Sequence, residues 1–169
     1  ADEIAAAFDT ERPVVPVAGP PGADPDAANL YPGWDYGVAA DVDRLLDRYP
    51  VLGEVVSEFG AGSVVDPDGV DSVPGLAERI GTDDPETTQR EQAQTVKRVG
   101  ETLRRRGAAV VAAFALQDAR PAGGMGLLAA DGGEKPAYTA LADAYEPLQA
   151  VLDATPRPGA VGVTVINDT

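Results

Sequence analysis

The stretch from Leu52 to Gly62, LGEVVSEFGAG, puts a carboxylate where chemistry could use one. Val51, Leu52, Val55 and Val56 are β-formers, and Gly60 and Gly62 break the strand directly after Glu58 and Phe59. Glu58 is therefore expected at the C-terminal end of a strand. Parallel α/β sheets place their reacting groups at that end, because the loops leaving it form the mouth of the site. The plain alternative is a glutamate solvated at a strand end. Other chemistry is narrowly bounded, since the 169 residues include no cysteine and no histidine. Disulfides, thiolate nucleophiles, Ser/His/Asp triads and the common zinc sites are excluded within this chain. Carboxylate, Tyr, Lys and Arg remain.

The charge is one-sided. There are 28 acidic and 13 basic residues, a net charge of −15, with 18 aspartates among the acids and 11 arginines among the bases. Such a surface repels nucleic acid and anionic lipid, so neither is expected as a partner. The acids are scattered over helix faces and loops without calcium-loop spacing, which favours a solvating surface suited to high salt over a cation-binding protein. The longest apolar run, Ala108 to Leu116, has only nine residues and cannot span a membrane as a helix. A soluble protein of halophilic source is expected, cytoplasmic rather than secreted, with no cofactor. The chain opens inside a helical pattern on Ala1, which reads as a cut or processed end.

These residues must be carried by a regular frame. Asp2 to Asp9 reads as the last turns of a helix, and Val14 to Ala18 as a strand closed by Gly19-Pro20-Pro21-Gly22. A second strand, Ala27 to Tyr31, runs into Pro32-Gly33-Trp34-Asp35-Tyr36-Gly37. Val42, Leu45, Leu46 and Tyr49 share a helical face that Pro50 ends, and the strand Val51 to Phe59 follows. The polar stretch Gly60 to Asp84, with a helical turn at Leu76 to Ile80, is long enough to suggest work at a binding face.

Asp84 is placed to cap a helix that opens on Pro85 and closes with Arg104 to Arg106 before Gly107, with Ala93, Val96, Val99 or Gly100, and Leu103 as its buried stripe. The three arginines suit the negative end of the helix dipole better than an anion site. The run Ala108 to Leu116 does not alternate and reads as a strand buried on both faces. Gly123, Gly124 and Gly126 lack the Lys-Ser/Thr that a phosphate loop needs and read as a flexible loop. A last helix carries Tyr138, Leu141, Ala142, Tyr145, Leu148 and Leu152. Thr155 to Gly159 reads as a linker, and Val161 to Ile166 as a strand without a partner in this chain. Strands and helices thus alternate, as in a parallel sheet with crossover helices.

Four segments in order, RPVVPVAG, NLYPGW, VVSEFGAG and FALQDARPAGGMGLLAADGGEKPAY, resemble the fifth to eighth strand regions of retaining glycoside hydrolases with a (β/α)8 barrel, most closely the β-glucuronidase and β-galactosidase type. The similarity covers roughly Asp9 to Leu152. It implies an α/β fold, the C-terminal half of a (β/α)8 barrel with four parallel strands, plus a C-terminal β-strand tail. Residues 1–153 would be the half-barrel, 154–160 a linker, and 161–169 the start of a following β-domain or a tail.

The resemblance further implies that Glu58 is the nucleophile and Tyr31 the tyrosine that hydrogen-bonds it. Asn29, Trp34, Gln117 and Asp118 would contact substrate, a carbohydrate. The acid/base glutamate of that family follows an asparagine at the end of the fourth strand, ahead of this chain. Glu54 lies roughly 13 Å back along the expected strand, too far to replace it. Where the family usually carries a tryptophan near the end of the eighth strand, this chain has Leu116 and Gln117. The expected function is that of a glycosidase fragment, inactive in isolation, that pairs with its missing half or self-associates. Two other readings stand beside it: a non-catalytic barrel that binds carbohydrate or protein, and a small flavodoxin-like domain, which lacks a phosphate loop at a first strand end.

Overall fold

The computed structural model describes residues 14–23, 25–72, 81–155 and 158–169, together with the single positions 7, 11 and 78. The expected helix at Asp2 to Asp9 and most of the turn at Leu76 to Ile80 lie outside the described residues. Four strands form one parallel sheet in chain order: β1 (Ala18–Gly19), β2 (Ala27–Leu30), β3 (Val55–Phe59) and β5 (Val110–Ala113). Helix α1 (Asp41–Arg48) joins β2 to β3, α2 (Pro85–Arg105) joins β3 to β5, and α3 (Pro136–Ala144) follows β5. The short strands β4 (Ser63–Val64) and β6 (Gly123–Gly124) pair antiparallel beyond the sheet. This is the parallel sheet with crossover helices that the alternation predicts, with the four strands of the half-barrel that the resemblance implies.

The helices cover one face of the sheet. Ala28, Leu30, Val56 and Phe59 meet Val42 and Leu46 of α1, Val96, Val99 and Leu103 of α2, and Ala137, Leu141 and Ala144 of α3 in a single core. Leu30 and Phe59 are fully buried, each worth roughly 1.5–3 kcal/mol. Helix α2 starts as its residues dictate: the Asp84 carboxylate accepts from the Thr87 amide at 2.9 Å, and Pro85 needs no donor there. Its three terminal arginines do more than offset a dipole. Arg105 pairs with Asp43 and Arg106 with Asp47 at 2.8 Å, while Arg104 reaches the carbonyl of Glu146 at 3.0 Å and the carboxylate of Asp168 at 2.6 Å.

Several boundaries differ from expectation. The first strand is two residues long: Pro16 has no N–H to give to a ladder, and pairing with β2 begins where the Val17 carbonyl accepts from the Ala27 amide. The third starts at Val55, because Pro50 opens a tight 3₁₀ turn through Gly53. Glu54 thus precedes the strand, and its side chain is exposed. The run Ala108 to Leu116 is buried on one face only: Val111 and Ala113 pack on the core, while Val110 is 49% and Phe114 45% exposed.

The last helix stops at Ala144. Pro147 cannot continue it, and residues before a proline avoid the helical region. Leu148–Leu152 is instead a strand, β7, paired antiparallel with β8 (Val163–Asn167). The strand expected to lack a partner therefore has one in this chain.

Candidate active site

The ladder around Glu58 holds the feature that aims it. Ala28 pairs with Val56 and Asn29 with Glu58, so two steps along β3 match one step along β2. On the other side Val56 pairs with Val111 and Phe59 with Ala113, three steps against two. One extra residue is accommodated at Ser57–Glu58, a bulge of the kind that re-aims side chains at strand ends. Val56 and Phe59 both remain in the core with the helices, while Ser57 and Glu58 are half-buried and outside it, which by strand alternation puts them on the opposite face.

From there Glu58 meets Tyr31. The tyrosine hydroxyl donates to Glu58 Oε2 at 2.7 Å across the neighbouring strand end. Burial, then the hydrogen bond and charge of Glu58, and lastly the charge of Asp35, hold the Tyr31 hydroxyl far above the usual tyrosine pKa. Tyr31 is therefore a fixed proton donor to the carboxylate over the working pH range. Beside them Ser57 Oγ donates to Asn29 Oδ1 at 2.8 Å, tying the bulge to β2.

The segment after Tyr31 folds back on itself. Trp34 and Asp35 donate their amides to the Tyr31 carbonyl at 3.1 and 2.9 Å, and the Tyr31 amide donates to the Tyr36 hydroxyl at 3.2 Å. Trp34 is thus held in the loop that leaves the strand carrying Tyr31.

Two further residues expected to contact substrate have partners within the protein. Asp118 is buried, its Oδ2 accepts from Lys135 Nζ at 2.8 Å, and its Oδ1 accepts from the Gly126 amide at 2.6 Å. Both oxygens are committed inside the protein, which leaves none for a ligand. Gln117 is exposed, with its amide nitrogen donated to the Ala130 carbonyl at 3.0 Å.

The glycines of this loop are neither a phosphate cradle nor slack. A Cβ on Gly126 would lie 2.1 Å from the Asp118 amide nitrogen, so only glycine lets the chain close over the pair.

Phe114 is the residue that the sequence reading passed over. It directly follows β5, exposed on the open side of the sheet, and its amide donates to the Phe59 carbonyl at 2.9 Å. Its own carbonyl would stand 2.3 Å from a Cβ on Gly60, so Gly60 is what lets the two strand ends meet. The uniformly apolar run carries no signal for it, and only the burial of the strand alternates, with Val110, Ala112 and Phe114 on the exposed side.

Comparison with known proteins gives a fold. No protein-family model matches the chain, and no curated protein matches it. Among solved structures, the chain is similar to the β-D-mannosidase of Dictyoglomus thermophilum, with a TM-score of 0.77 at 18% sequence identity. The similarity covers 99% of this chain and 25% of that protein, so the chain spans about a quarter of the neighbour's length.

Proposed function

We propose that the chain is the C-terminal half of the catalytic barrel of a retaining glycoside hydrolase acting on β-glycosides. The observation that carries this reading is the 2.7 Å hydrogen bond from Tyr31 to Glu58 on adjacent strand ends of the open face. Glu58 attacks the anomeric carbon, the bond to the leaving oxygen breaks, and a glycosyl ester forms on the carboxylate. Tyr31 orients the carboxylate and spreads its charge until attack. Asn29, Trp34 and Phe114 line the sugar site, with Gln117 at its rim.

Retention needs a second carboxyl about 5–5.5 Å from the first, which protonates the leaving oxygen and then deprotonates the attacking water. Asp118 is locked to Lys135 and cannot serve, and Glu54 lies outside the strand. The acid/base belongs to the other half of the barrel, and this chain alone is inactive. The motif spacing supports the β-glucuronidase and β-galactosidase type, and the acidic surface supports a high-salt setting. Residues 161–169 form a C-terminal β-strand tail, whose β8 pairs with β7.

The test is labelling of the full-length protein with a 2-deoxy-2-fluoro β-glycoside, followed by peptide mapping. An ester on Glu58 is expected. An ester on another residue removes the assignment, and sugar binding without any ester establishes the non-catalytic barrel in its place.

A further inference from the structure

We propose that the buried Lys135–Asp118 pair is a positioning device for Glu58, joining the segment that leaves β3 to the segment that leaves β5. The proposal rests on the reading of Glu58 as the nucleophile. Three residues after Glu58 the chain enters a run that side chains of α2 hold. The Ala61 carbonyl accepts from Gln92 Nε2 at 2.8 Å, and Ser63 Oγ donates to Gln92 Oε1 at 2.8 Å. The Val64 amide donates to Thr88 Oγ1 at 3.0 Å, and the Val64 carbonyl accepts from Gln89 Nε2 at 2.9 Å.

Lys135 closes this set. Its ammonium donates to Asp118 Oδ2 at 2.8 Å, Ser63 Oγ at 3.1 Å and the Gly124 carbonyl at 3.3 Å. An ammonium has three protons, and all are used. The same node thus grips the β3 exit through Ser63, the β5 exit through Asp118 and Gly124, and the start of α3 through its own backbone.

Stability alone does not account for the arrangement. The Lys135 and Asp118 side chains are 2% and 0% exposed, and a buried ion pair is commonly no more stabilising than apolar groups of the same volume. Burial also pulls the Lys135 pKa below its usual value, against the pull of Asp118. What the pair supplies that an apolar contact lacks is direction. Each bond fixes the height of one loop relative to another, and with it the strand end that carries Glu58. A displacement of about 1 Å at a reacting group costs on the order of 100-fold in rate.

The experiment follows the first-order rate of Glu58 labelling by the fluoro-glycoside in the full-length protein, beside hydrogen exchange of the amides of residues 60–64. Lys135→Met is expected to slow labelling by about 30-fold or more, and Ser63→Ala, which keeps the ion pair and cuts both its tie to the β3 exit and the Ser63–Gln92 bond, by about 3–10-fold. The half-saturating concentration should stay within about twofold for both, and the 60–64 amides should exchange faster. Labelling rates equal to wild type in folded variants, or a change confined to saturation, overturn the proposal. If Lys135→Met does not fold, Ser63→Ala decides alone. A wild-type protein that is never labelled overturns the nucleophile assignment instead, and exchange then judges the joint between the loops: unchanged protection in Ser63→Ala overturns it.

Discussion

Glu58 and Asp118 are both carboxylates just beyond or at the ends of neighbouring parallel strands, and they have opposite environments. Glu58 is half-buried with one side-chain hydrogen-bond partner among the described residues, the Tyr31 hydroxyl. Asp118 has no exposed side-chain surface and is saturated by an ammonium and a backbone amide. The first arrangement leaves lone pairs facing an open face, which a nucleophile requires. The second commits both oxygens to holding loops. Position at a strand end is therefore a weak guide to role, and the inventory of partners is a strong one.

The largest effect that could break this contrast is on turnover. Glu58→Gln in the full-length protein should lower kcat on the order of 10⁴-fold while leaving the unfolding free energy within about 0.5 kcal/mol. A large loss of stability would make Glu58 a second Asp118.

Asp118→Ala should do the reverse, costing about 3–5 kcal/mol in urea unfolding because Lys135 is left buried with its charge uncompensated. Exchanging both partners together, Asp118→Leu with Lys135→Met, should recover most of that loss. Tyr31→Phe removes one hydrogen bond to a charged group, worth about 1.5–3 kcal/mol, and should lower the rate of glycosyl-ester formation by roughly 10–100-fold with little change in sugar binding.

The smallest effect lies away from both acids. Burial pushes the Tyr145 hydroxyl, which donates to the Val111 carbonyl at 2.8 Å, from 10.0 up to about 12. A pKa raised on folding means that the native state holds its proton where the unfolded chain has lost it. The stabilisation is complete below pH 10 and is lost as pH rises toward 12. Tyr145→Phe should flatten part of the alkaline fall in unfolding free energy, with Tyr31 contributing to the remainder in the same direction.

The order of strands and helices was legible because each element carries its own periodicity, and α2 announced itself through Asp84, Pro85 and its closing arginines. The pairing of Tyr31 with Glu58 was reached from motif resemblance, not from spacing, since 27 residues separate them. What stayed hidden was of three kinds. The spacing of Tyr145, Leu148 and Leu152 imitates a helix, and only Pro147 says otherwise. Asp118 reads as a strand-end acid until Lys135, 17 residues on, is seen to return to it. Phe114 was lost inside an apolar run whose alternation depends on which face of the sheet is covered.

The bulge at Ser57–Glu58 has a further consequence. The direction in which Glu58 points is set by counting residues rather than by any contact it makes. In a regular strand Glu58 would share the side of Val56 and face the apolar helices, and the one extra residue is what keeps it on the open face while Phe59 returns to the core. A designer who transplants this site must therefore copy an insertion as well as its residues.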